Sequence, residues 1–169
     1  MVEIFDDFLS QDAFDEMSEF FTGFEKMPRA TYFVSEIDSP DVYKGKHPLR
    51  FANTLYGSYR PTHDDVGMIA PLMNKISPRA VMRVKINFDL CTPYPDSSGM
   101  HVDFSGVSLD GLKTGLFYLN TNNGKTRLED GTEIESVANR FVYFPASTMH
   151  EGISCTDQPF RCVLNINFF

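Results

Sequence analysis

His101, Asp103, His150 and Arg161 combine the residue types and spacing that metal chemistry needs. In a strand, side chains two residues apart point the same way, so His101-Val102-Asp103 offers an imidazole and a carboxylate to one face. His150 follows 47 residues after Asp103, far enough for the chain to return on another strand of the same sheet or barrel. Two imidazoles and one carboxylate on one triangular face of a metal leave three coordination positions open, the ligand set of non-haem Fe(II) oxygen chemistry. Arg161 lies 11 residues beyond His150, inside a strand pattern. A fixed cation there suits the far carboxylate of a bidentate oxo-acid cosubstrate, because the planar guanidinium matches carboxylate geometry.

Such side chains need rigid elements, and the hydrophobic pattern supplies candidates. Residues 10 to 27 read as an amphipathic helix: Phe14, Met17, Phe21 and Phe24 recur at helical spacing and Phe20 widens the stripe. Ser10 suits its N-cap. Residues 30 to 36 read as a strand, and 37 to 60 as mostly loop with a short strand near Phe51 to Tyr56. Thr62 with Asp65 has the form of a capping box, and Val66, Ile69, Met73 and Ile76 continue helically. Pro71 inside that segment predicts a kinked or split helix. After Pro78 the period changes to two: Met82, Val84, Ile86, Phe88 and Leu90 alternate with Arg83, Lys85, Asn87 and Asp89, the mark of a half-buried strand. Further strands are expected at 99–105, 114–120, 140–145, 148–154 and 159–168. In the last, Arg161, Val163, Asn165 and Asn167 share one face. An arginine in so apolar a strand calls for an anionic partner.

Short strands after a helical layer indicate a mainly β domain with N-terminal helices, a sandwich or jelly roll rather than a parallel α/β sheet. The chain of 169 residues suits one domain: 1–79 as helical support and substrate-loop region, 80–169 as the β core. A net charge of −8 without any basic run argues against extended nucleic-acid binding or an anionic membrane surface. Three cysteines without CxxC spacing suggest a reducing compartment. The N-terminus carries acids where a signal peptide carries Lys or Arg, and no apolar run reaches membrane-spanning length. A cytoplasmic location follows as the expectation.

The stretch from Arg83 to Phe169 resembles the 2-oxoglutarate- and Fe(II)-dependent oxygenases, in particular their prolyl-4-hydroxylase-like branch. The similarity rests on His101-Val-Asp103, Thr114-Gly-Leu-Phe-Tyr118-Leu119-Asn120, Phe141-Val-Tyr-Phe144-Pro145 leading to His150, and Arg161. The opening Phe5-Asp-Asp-Phe-Leu-Ser10 is similar to the entry of that branch. The resemblance implies a double-stranded β-helix, the cupin-like jelly roll. It implies Fe(II) on His101, Asp103 and His150, with 2-oxoglutarate as cosubstrate and O2 as oxidant. Arg161 would pair with the cosubstrate's distal carboxylate, Tyr118 would hydrogen-bond it, and Thr114 would line the same pocket. Asp103 favours hydroxylation, since related halogenases carry a small residue there. One departure is Thr121-Asn-Asn-Gly-Lys-Thr126, where the family often carries a Gly-Gly-Glu-Thr-like turn.

Two rival readings stay open at this level. A cupin-like metal enzyme that uses no 2-oxoglutarate shares the three ligands but gives Arg161 no such role. A non-enzymatic jelly-roll binding module needs neither. The substrate, a peptide or a small molecule, is not specified. Tyr94 and the 37–60 segment, with Tyr43, Lys44, Arg50, Tyr56, Tyr59 and Arg60, are candidates to contact it; His47 and His63 have no part in the scheme.

Overall fold

The two periodicities, 3.6 in the N-terminal third and 2 after Pro78, call for a helical layer laid on a sheet. The computed structural model describes residues 1–23, 33–34 (backbone only), 50–62, 64–106 and 108–169. In chain order the elements are β1 (Glu3–Phe5), α1 (Gln11–Thr22), β2 (Phe33–Val34), β3 (Arg50–Gly57), β4 (Arg60–Pro61), a 3-10 turn (Asp64–Ile69) and α2 (Ala70–Ile76). Then follow β5 (Val81–Leu90), β6 (Lys113–Tyr118), β7 (Lys125–Leu128), β8 (Glu133–Glu135), β9 (Phe141–Pro145), β10 (His150–Ile153) and β11 (Phe160–Phe168). The large sheet runs β1-β9-β6-β11-β5-β3-β2 with β4 beside β3, and the small one β10-β7-β8. All described pairings are antiparallel. The fold is a double-stranded β-helix with N-terminal helices.

Alternation decides which residues face the helices and which face the cavity. Val84, Ile86 and Phe88 of β5, with Cys162, Leu164, Ile166 and Phe168 of β11, turn outward under Phe14, Met17 and Phe21 of α1 and Leu72 of α2. Each such fully buried side chain contributes about 1.5–3 kcal/mol, so this layer holds the large sheet rigid. On the inner side, Leu116, Tyr118, Val142, Phe144 and Val163 meet Leu128 and Ile134 of the small sheet. The two sheets therefore close a second core between them. Along β11 the inward residues Arg161, Asn165 and Asn167 lie opposite Asp89, Lys85 and Arg83 of β5.

Several local expectations change. The expected strand 99–105 is not continuous: it contributes only the isolated bridges Ser97↔Ile153 and His101↔His150. Gly99 and Gly106, at φ 81° and 76°, hold conformations that break a strand. Thr62 is not a helix cap; its hydroxyl donates to the Thr54 carbonyl and ties β3 to the chain after β4. Ser10 occupies the N-cap position of α1 without a side-chain cap bond. The helix around Pro71 is split, the 3-10 turn ending where α2 begins with Pro at its first turn. The expected helix end at 24–27, strand residues 30–32 and 35–36, loop 37–49, and His47 and His63 lie outside the described residues.

Candidate functional site

The bridge between residues 101 and 150 sets the first part of the site. His101 N–H donates to the His150 carbonyl at 3.0 Å and His150 N–H to the His101 carbonyl at 2.9 Å. Directly opposed residues of an antiparallel pair project to the same side, and the two imidazole centroids stand 4.8 Å apart. Asp103 arrives from the following loop. One ligand atom from each of His101, Asp103 and His150 lies within 4.8 Å of the others.

Hydrogen bonds fix which nitrogens remain open. His101 Nδ1 is 2.8 Å from the Gly99 carbonyl oxygen, and His150 Nδ1 is 3.2 Å from that of Thr148. A carbonyl oxygen only accepts, so both Nδ1 atoms carry the proton and both Nε2 atoms keep a lone pair. Burial lowers the His101 pKa, assisted by the neighbouring His150 and opposed by the Gly99 carbonyl. The neutral ring is the form that ligates metals.

Asp103 accepts from Arg83 Nη2 at 2.9 Å, Thr114 Oγ1 at 3.1 Å, Asn167 Nδ2 at 2.8 Å and Asn165 Nδ2 at 3.1 Å. Burial alone would raise its pKa; Arg83, His150 and the two amides outweigh burial and hold it at about 2. The two imidazole Nε2 atoms and an ionised, firmly oriented carboxylate therefore converge. That donor set fits Fe(II) with open positions, and the partners of Asp103 and of each Nδ1 are the outer-shell contacts that such ligands require.

The other end of the cavity is built around Arg161, which is 4% exposed. Its Nε donates to Ser136 Oγ at 2.9 Å, Nη2 to Thr126 Oγ1 at 2.8 Å and Nη1 to Asp89 Oδ2 at 3.2 Å. Tyr118 lies under the guanidinium, 5.5 Å from its carbon to the ring centre, and its hydroxyl donates to Thr126 Oγ1 at 2.9 Å. Asp89 is also held by Arg50, through Nε and through Nη2 at 3.2 Å. Burial would raise the Asp89 pKa, but the two guanidiniums outweigh it and bring it down. One carboxylate shared by two cations leaves this end with a net positive charge. Two of the five guanidinium N–H donors of Arg161, one on each terminal nitrogen, have no partner among the described residues.

Glycine makes this end possible. A Cβ on Gly124 would stand 2.8 Å from the Ile153 carbonyl oxygen and 2.9 Å from Arg161 Cδ. The departure from the family's turn thus still delivers Gly124 and Thr126 to the arginine. Thr114 sits at the Asp103 end rather than beside Tyr118. Tyr94 is 81% exposed and Tyr59 84%; Tyr56 packs on the helical core; Arg60 is exposed; Tyr43 and Lys44 lie outside the described residues. Among the described residues of that group, Arg50 enters the cavity. Sequence reasoning gave no role to Arg83, Asp89, Thr126, Ser136, Asn165 or Asn167. For β5 a signal existed: the polar half of its alternation is the cavity wall.

No family model matches the chain, and no curated protein matches it by sequence. Solved structures do. A prolyl hydroxylase from Trichoplax adhaerens, in complex with a hypoxia inducible factor oxygen degradation domain peptide fragment, superposes with a TM-score of 0.70 at 14% identity, over 99% of this chain and 83% of that one. The carbocyclase SnoK from nogalamycin biosynthesis, non-heme and alpha-ketoglutarate dependent, gives 0.68 at 12% identity over 99% and 78%. A Pseudomonas putida prolyl-4-hydroxylase gives 0.57 at 14% identity over 99% and 91%. The chain has the fold of the 2-oxoglutarate- and Fe(II)-dependent oxygenases, in its prolyl-hydroxylase-like form. Among the described residues no helix is long and apolar enough to cross a membrane.

Proposed function

We propose that this protein is an Fe(II)- and 2-oxoglutarate-dependent oxygenase, a hydroxylase that couples decarboxylation of 2-oxoglutarate to hydroxylation of a substrate C–H bond. The observation that carries this reading is the convergence of His101, Asp103 and His150, with both Nε2 lone pairs open, in a cavity whose far end holds a buried arginine. The two imidazoles and the carboxylate hold the metal on one face. Bound iron with 2-oxoglutarate and O2 supplies the oxidising power. Arg83, Thr114, Asn165 and Asn167 fix the Asp103 carboxylate so that its ligand direction does not wander. Arg161 offers its two remaining N–H donors to the distal carboxylate of the cosubstrate, with Tyr118 and Thr126 beside it. Asp89 and Ser136 keep the guanidinium plane in place. Leu116, Phe144 and Val163 line the closed core next to the site and keep bulk water from it.

Residues 1–169 work as one oxygenase unit in this reading, since β3, from the N-terminal half, delivers Arg50 to the cavity. The substrate is a peptide or a small molecule: one structural neighbour holds a peptide fragment and another is named a carbocyclase, so the fold alone does not choose.

The test is anaerobic addition of Fe(II) and then 2-oxoglutarate to metal-free protein. The expected result is the weak visible charge-transfer band of the chelate. Iron binding with no band would transfer the assignment to a metal enzyme that does not use 2-oxoglutarate. Absence of metal binding would leave a binding module.

A further inference from the structure

The inner face of β5 presents Arg83, Lys85, Asn87 and Asp89 in succession. Arg83 is bound to Asp103, and Asp89 is bound to both Arg50 and Arg161. Lys85 lies between these two groups and makes no hydrogen bond or ion pair among the described residues. Lys85 is half-buried, and an ammonium drawn partly out of water without a partner is costly. Here burial, with Arg83 and Arg50 nearby, lowers its pKa to about 8. The wall around it has further unused capacity: Asn87 Oδ1, Asn165 Oδ1, Asn167 Oδ1 and Arg83 Nε are all buried without a partner. Such a surface suits a polar ligand, not an apolar one.

Charge narrows the class. Arg50, Arg83, Lys85 and Arg161 face the cavity against two carboxylates, Asp89 and Asp103, within a chain whose net charge is −8. A divalent metal and a dianionic cosubstrate cancel one another, so the positive excess persists when both are bound. The cosubstrate does not need Lys85, because one of its carboxylates belongs to the metal and the other to Arg161.

Resting on the oxygenase reading, we propose that the substrate is an anion whose carboxylate or phosphate docks on Lys85 beside the metal, and that Lys85 selects for it. The test is calorimetric. Protein loaded with Mn(II) and 2-oxoglutarate under argon is titrated with N-acetyl-glutamate amide, N-acetyl-O-phosphoserine amide and the uncharged isostere N-acetyl-glutamine amide. At least one anionic probe should bind about tenfold or more tightly than the uncharged one, and the stronger of the two distinguishes carboxylate from phosphate. Lys85→Met should abolish that preference and Lys85→Arg should keep it, with 2-oxoglutarate affinity within about threefold of wild type in both. Wild-type protein indifferent to probe charge overturns the proposal. So does a Lys85→Met variant that retains the preference but loses about tenfold in 2-oxoglutarate affinity, since Lys85 would then serve the cosubstrate. Failure of wild type to take up Mn(II) and 2-oxoglutarate, seen in the loading titration itself, overturns the oxygenase reading and this one together.

Discussion

At the Arg161 end of the cavity the charged groups already have protein partners, whereas at the His101 end two Nε2 lone pairs converge with none among the described residues. The arginine end stands on regular strands, β5, β6, β7 and β11, and the pairing of β11 with β5 sets the Arg161–Asp89 contact. The histidine end depends on a single bridge and a glycine-flanked loop. The difference separates two tasks. A metal completes the coordination that its ligands lack, so that end is left open. A carboxylate ligand must be added to an arginine that is already held, so that end is rigid and only partly saturated.

Removing a ligand breaks the open end outright. His150→Ala or Asp103→Ala should weaken Mn(II) binding by more than the roughly 100-fold that loss of an outer-shell partner can cost, while 2-oxoglutarate no longer shifts the melting temperature; equilibrium dialysis with metal analysis checks it. Arg161→Ala should act at the closed end alone. It should weaken 2-oxoglutarate by about 100-fold and destabilise the fold by about 3 kcal/mol, because Asp89 loses one of its two cations. Mn(II) affinity should stay near wild type, and a parallel loss of metal affinity would show that the ends are not separate.

The His101 end should also respond to acid. Asp103 titrates at about 2 in the folded protein against about 3.9 unfolded. A depressed carboxylate stabilises the fold above the unfolded value, and that contribution, about 2.6 kcal/mol, disappears as pH falls from about 4 to 2. Urea midpoints of metal-free protein should fall over that window, and less steeply in Asp103→Asn. Gly124→Ala should have the smallest effect. Its Cβ would press on Arg161 Cδ and the Ile153 carbonyl, at a cost of about 1–2 kcal/mol, and should weaken 2-oxoglutarate while sparing the metal.

The sequence disclosed the two ends unequally. Alternation along β11 correctly put Arg161, Asn165 and Asn167 on one face, and along β5 it separated Val84, Ile86 and Phe88 from Arg83, Lys85 and Asp89. His101 and Asp103 do come together with His150, but the physical reason given by spacing was wrong. They are not neighbours on a strand face; one sits in a bridge and the other on a loop. The partners of Arg161 were out of reach because Arg50–Asp89 and Arg161–Asp89 are set by strand register across 39 and 72 residues. Thr126 and Ser136 lie in and beside strands of four and three residues, too short to show a period.

The most direct measurement is a crystal structure of protein soaked anaerobically with Mn(II) and 2-oxoglutarate. A cavity with these two ends should show one Mn(II) ion on His101 Nε2, Asp103 and His150 Nε2, and the distal carboxylate of 2-oxoglutarate on the terminal nitrogens of Arg161. Metal bound elsewhere, or 2-oxoglutarate on the metal with Arg161 still engaged only by Asp89, Thr126 and Ser136, would contradict the assignment of the two ends.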